Sequence, residues 1–291
     1  MEATEPRCRR AEYDAEPSGG RRRTRTLFFQ LSSWVLGSIL LVVLFGAATI
    51  GLVVGSRLRG RADDHREPIA AIQSFLLTLV GLILAFSLAL AVGRYEARRA
   101  VVVQDANAIG TTYLRAQTLS EPIRTRSLRL LRDYVDVSIR LSGTVPGSPE
   151  ADAAVADGSH LQRELWSLAG QALDADPVAS APRLYVETLN EMIDVQTVRV
   201  RGLNNRVPSA VLTVELVGAA LALALLATHL SILGRAIVPI FVVATLVTLL
   251  MLVTFDLDRP TRGLIEVPST ALTDLRASME LSPAATGPTS P

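Results

Sequence analysis

The chain has 291 residues, of which 49% are hydrophobic and only 5% aromatic, with a mean hydropathy of +0.34. That balance suits helices in lipid better than an aqueous core packed with aromatic rings. A formal net charge of +1 excludes a global field for nucleic acid, and the single cysteine, Cys8, excludes an internal disulfide and any multi-cysteine metal site.

In chain order, residues 1–26 carry the Arg21, Arg22, Arg23 and Arg25 cluster and read as a disordered basic tail. Residues 31–55 and 69–93 are apolar runs long enough to cross a bilayer, which takes roughly 20 residues. They define a first transmembrane hairpin, 31–93. The first run exceeds the length of a signal-peptide core, so it is expected to remain as an uncleaved span. Residues 209–230 and 236–255 form a second hairpin, 209–255. No charge sits at the middle of any of the four runs.

Between the hairpins, residues 94–207 hold 14 Arg and 14 acidic residues and read as a helical domain. No proline lies between Pro68 and Pro122, so the second span is predicted to continue as one helix. Residues 94–119 would then project about 40 Å beyond the membrane. Tyr95, Val102, Ala106, Ile109, Tyr113 and Ala116 form one apolar stripe at helical spacing. Ser120 is expected to cap a second helix opened by Pro122. Residues 142–158 read as a loop, 160–173 as a third helix and 183–205 as a fourth. Residues 256–273 form a polar segment after the last span, and 274–291 read as a disordered tail.

Arginine marks orientation, because loops on the cytoplasmic side are enriched in it. Its distribution favours both termini and residues 94–207 in the cytoplasm of a multi-pass protein, although the first outer loop is itself arginine-rich. The expected fold class is therefore all-α, an integral membrane protein with four transmembrane helices and a helical cytoplasmic domain between spans two and three.

Candidate functional residues lie mostly at the membrane exits. Arg94 and Arg98 follow span two at headgroup level, where they can anchor to anionic lipid or face an ion path. Asp105 and Asn107 are polar on a Val- and Ala-rich helix, and Asn is a poor mid-helix residue, which suggests a buried hydrogen bond between helices. Asp256, Asp258, Arg259 and Arg262 follow span four and can pair with one another or ring a pore mouth. Glu215 is the one acid inside a span, suited either to function or to the dipole near a helix start. Gln73, Ser74 and Thr78 are the polar candidates in span two for an ion path or an oligomer contact.

Two stretches are the most specific: Arg94 to Leu119 and Asp256 to Gly263. Together they resemble the bacterial bestrophin-like domain family, four-span membrane proteins with no assigned activity. Tyr95, Glu96, Arg98 and Arg99 match its Tyr-Glu-x-Arg-Arg run. Ala106, Asn107, Ala108, Ile109 and Gly110 match its Glu-Ala-Asn-Ala-Ile-Gly motif, with Asp105 in place of the leading Glu. Leu131, Tyr134, Val135 and Asp136 match a downstream Leu-x-x-Tyr-Val-Asp, and the Asp-Leu-Asp-Arg-Pro-x-Arg-Gly run matches in full. The resemblance covers residues 30–270.

Through the remote relation to bestrophins, which are pentameric anion channels, the resemblance implies a homo-oligomer in the bacterial plasma membrane that conducts small ions. The alternative is a membrane-anchored sensor or scaffold whose helical domain binds a cytoplasmic protein. No nucleophile–base pair, phosphate loop or dinucleotide fingerprint occurs, so neither enzyme activity nor a cofactor is expected. The partners expected are the lipid bilayer and further copies of the chain, with no nucleic acid.

Overall fold

A computed structural model of the chain describes residues 33–58, 66–205, 207–234, 237–259 and 263–281. The described residues are all-α, with no strand among them. The elements are α1 (Ser33–Leu58), α2 (Arg66–Ala116), α3 (Ile123–Ser142), α4 (Pro149–Ala175), α5 (Ser180–Asn204), α6 (Ser209–Ile232), α7 (Val238–Leu257) and α8 (Thr270–Ser278). Four of them, α1, α2, α6 and α7, are long and apolar enough to cross a membrane. The Arg21 to Arg25 cluster, most of the connection between α1 and α2 and the last ten residues lie outside the described residues.

With no proline to interrupt it, α2 runs unbroken for 51 residues, about 77 Å at the helical rise. That is more than twice the roughly 30 Å hydrocarbon core, so one helix belongs to both halves of the molecule. The hairpin of α1 and α2 is one of sequence only: the two helices are not closely packed on each other, and each packs on α6 and α7.

The α1–α6 contact is the most extensive in the chain and is made by small residues. A Cβ on Gly51 would lie 2.1 Å from the carbonyl oxygen of Ala224, and one on Gly55 would lie 2.5 Å from that of Thr228. The Gly-x-x-x-Gly spacing puts both on one face, so the backbones meet directly. Thr228 and Ser231 then donate across the interface to the carbonyls of Gly51 and Leu52, each at 3.0 Å. Leu40, Leu44, Leu223, Ala244 and Met251 fill the rest of this half.

The second core lies where α2 leaves the first. Ile109, Leu131, Tyr134, Leu165, Leu189 and Met192 are buried there, with α2 on α5 and α3 on α4. The stripe predicted on α2 faces this core from Val102 to Ala116.

Three local expectations are corrected. Residues 149–158 are the first turns of α4: Ser148 caps the helix by accepting from the Ala151 N–H, Pro149 sits in the first turn, and Glu150 and Asp152 favour the N-terminal dipole. Gly158, which suggested a loop, is in the helix because Gln196 lies where a Cβ would be, 2.8 Å away. At α3 the capping is done by Glu121, which accepts from the Thr125 N–H and hydroxyl and from Arg124, and not by Ser120. Residues 274–281 are not a disordered tail. Leu272 and Met279 bury α8 and its end against α2 and α3, and the Tyr113 hydroxyl donates to the Met279 carbonyl.

Candidate functional site

The two most specific stretches of sequence meet where α2 and α7 leave the membrane half. Arg98 is 7% exposed and donates through Nη2 to the carbonyl of Leu257 at 2.5 Å. One helical end beyond, Asp256 accepts from the Ser33 hydroxyl at 2.6 Å and from the Leu264 and Ile265 N–H groups at 2.6 and 3.0 Å. The carboxylate thus closes the turn after α7 and ties it to the start of α1. Gly263 is required by this turn, since a Cβ there would stand 2.7 Å from Asp256 Oδ2. Asp258 accepts from the Val207 N–H at 3.1 Å, which fixes the entry to α6. Arg259 is fully buried, with Asp256 and Asp258 as its charge neighbours. Burial pushes its guanidinium below the ordinary range and those two carboxylates oppose the shift. These charges therefore face protein, not water. Arg262 lies outside the described residues.

Two turns beyond Arg98 along α2, Asp105 is fully buried and pairs with Arg199 of α5 at 2.5 Å. Arg199 also donates to the Ser138 carbonyl and the Ser142 hydroxyl of α3. Three helices are joined by one guanidinium. Only Oδ2 of Asp105 is engaged, and Oδ1 has no hydrogen-bond partner, as expected of a side chain one methylene shorter than the Glu of the family motif. Arg199 was missed in the sequence, although it recurs at helical spacing after Met192 and Gln196 on the buried stripe of α5. The nearby Tyr134 hydroxyl accepts from Gln162, and burial raises its pKa above the ordinary value. Burial also pushes Tyr185 up to about 12, so neither tyrosine is poised for proton transfer near neutrality.

Asn107 makes no such buried bond: it is exposed, two residues and more than half a turn from Asp105. Glu215 is buried two turns into α6, beyond the reach of the terminal dipole, which fades within the first turn. It faces the buried Ser87 of α2, yet neither carboxylate oxygen completes a well-formed hydrogen bond.

Around α2, at about 100° per residue, three faces separate. Val80, Leu84, Ser87 and Ala91 face α6 and α7. Phe75, Leu79, Leu82, Phe86 and Leu90 are bulky, apolar and exposed, as a lipid-facing surface is. Between them runs an exposed face of small or polar residues: Ser74, Thr78, Gly81, Ala85 and Ala89, continued by Glu96, Ala100 and Asn107. Nothing lies within 4 Å of where a Gly81 Cβ would be. Thr78 returns its hydroxyl to the Ser74 carbonyl at 2.8 Å, which keeps this face compatible with an apolar surrounding. Gln73 is on the inner face instead, with a buried Oε1 that has no partner. Arg94 and Arg98 point away from the small face, into a recess of about 190 Å³ bounded by α2, the end of α5 and Val267.

Residues 42–272 match the family described as bestrophin-like domain. The fold is similar to the crystal structure of a bacterial bestrophin homologue from Klebsiella pneumoniae that carries one point mutation. The TM-score is 0.57 at 13% identity, over 81% of this chain and 97% of that one. No curated protein sequence matches. The family match takes in most of both cores, the Arg98–Leu257 contact and the turn closed by Asp256, and on it the chain belongs to the bestrophin-like domain family.

Proposed function

We propose that the protein assembles as a homo-oligomer, a pentamer by analogy with bestrophins, and conducts small ions, anions by the same analogy. The observation that carries this reading is the small, polar face of α2. A helix in lipid gains nothing from Ser74, Thr78, Gly81, Ala85 and Ala89 on an exposed strip, whereas small residues suit close helix contacts and polar ones a wet path. One subunit offers a single such strip, so several copies are needed to enclose an axis. Family membership and the fold of the bacterial homologue support the same reading. Arg94 does not belong to this strip. Glu96 and Arg99 stand at its membrane exit, 3.8 Å apart, so the local charge is balanced and the ion sign rests on analogy. Both termini and residues 94–207 are assigned to the cytoplasmic side on the arginine distribution.

The test is flux from purified protein in liposomes, against empty liposomes of the same lipid. Thr78→Phe is expected to reduce conductance without loss of assembly, and Leu82→Phe, on the lipid-facing side, to leave it unchanged. A strictly monomeric particle in mild detergent, or no current from well-folded protein over a wide voltage range, would favour the scaffold reading.

A further inference from the structure

We infer that the recess beside Arg94 and Arg98 binds a phosphate oxyanion, supplied by the headgroup of an anionic phospholipid. Arg98 is more than nine-tenths buried, yet its Nε and Nη1 have no hydrogen-bond partner; its Nη2 alone is used, on Leu257. Arg94, one turn earlier, also has a buried Nη1 without a partner. Two like charges at i and i+4 repel, and a buried guanidinium with unmet donors is costly. An oxyanion between them answers both at once, since charge-assisted bonds of Arg to phosphate are among the stronger ones in proteins. The neighbouring charges do not fill this role. Asp258 offsets part of the charge of Arg98, but no hydrogen bond from it reaches the Nε or Nη1 donor. Arg199, on the far wall, is committed to Asp105, Ser138 and Ser142.

Position selects the source. Arg94 directly follows Gly93, the last residue of the apolar run, so the mouth of the recess lies at headgroup depth. Arg94, Ala97, Arg98 and Val101 sit on the side of α2 opposite the small face and next to the bulky, lipid-facing one. The rest of the lining is mostly apolar, with Val102, Val198, Leu203 and Val267 outnumbering Ser142, Asn205 and the committed Arg199, a surface suited to the glycerol end of a lipid and less to a fully hydrated ion. The recess therefore opens toward the bilayer and away from the axis proposed above, and its occupancy does not depend on conduction.

Gly202 permits a clean test. It lines the recess, and nothing lies within 4 Å of where its Cβ would be, so Gly202→Leu fills the space from a helix that favours leucine over glycine. The full chain is placed in nanodiscs of phosphatidylcholine alone, of phosphatidylcholine with phosphatidylglycerol, and of phosphatidylcholine with inorganic phosphate in solution. Bound lipid is read by native mass spectrometry and stability by thermal unfolding. The parent is expected to retain phosphatidylglycerol and to unfold at a higher temperature with it. Arg94→Gln, by loss of one charge-assisted bond, is expected to lower that retention about tenfold, and Gly202→Leu, by filling the recess, at least as much, each without lower stability in phosphatidylcholine alone. Arg94→Lys should recover part of it. Retention unchanged in Gly202→Leu would overturn the site, and stabilisation by inorganic phosphate equal to that by phosphatidylglycerol would overturn the lipid as its source.

Discussion

The two halves of the molecule are held together by different physics. In the membrane half α1 and α6 meet backbone to backbone, through Gly51, Gly55 and the hydroxyls of Thr228 and Ser231. In the helical domain large side chains such as Leu131, Tyr134, Leu189 and Met192 fill the core, and a buried ion pair joins three helices. The difference follows from the solvent. Lipid gives no hydrophobic drive to bring helices together, so close approach and hydrogen bonds must do it. In water the burial of large apolar groups dominates, and small residues at the contact would forfeit it.

The sharpest way to break the comparison is at Gly51. Gly51→Leu drives a side chain into the Ala224 backbone, which cannot rotate aside, and is expected to abolish monodisperse protein in detergent. Gly46→Leu, on the same helix with open space around it, is expected to leave the elution profile unchanged. A tolerated Gly51→Leu would show that α1 and α6 do not meet there. Next in size, Arg199→Met strands Asp105 in a dry core and should cost about 3–5 kcal/mol in thermal unfolding. Adding Asp105→Leu should restore most of that loss. If the double variant is no better than the single one, the pair is not the joint between α2, α3 and α5.

The third comparison sets two fully buried leucines against each other. Leu189→Ala in the helical domain should cost about 2–5 kcal/mol. Leu44→Ala in the membrane half should cost less, because only packing is lost when the unfolded reference is itself in lipid. Equal costs would remove the distinction between the halves. The smallest effect is expected at Arg276, whose ion pair with Asp136 pins α8 from a largely exposed position. Arg276→Gln should cost about 0.2–1 kcal/mol, with the loss reduced at high salt.

The spans, the length of α2 and its buried stripe were legible because each rests on a run or a period that survives folding. Proline-free continuity and the recurrence from Val102 to Ala116 needed no partner to be seen. What was hidden depended on pairings remote in sequence. Asp105 could be marked as buried, but its partner lies 94 residues away. Asn107 was grouped with Asp105 by proximity in sequence, while the helix turns the two apart. Helix α8, of nine residues, is too short to declare a period, and its alanine- and serine-rich surroundings resembled a tail. The role of Asp256 was open between ion pairing and a pore ring because one of its partners, Ser33, arrives from the other end of the chain and the others are backbone N–H groups.

The partnering of α1 with α6 and α7 has a consequence for how the chain is made. Leu58 and Ser209 are separated by 150 residues, about 8–30 s of synthesis at typical rates. Throughout that interval α1 is in the membrane with its glycine face uncovered, and α2, which arrives next, does not cover it. The membrane half can close only after α7 is inserted and Asp256 meets Ser33, so the order of translation and the order of packing are opposed, and α1 waits in the bilayer longer than any of the other three described spans before it finds its neighbours.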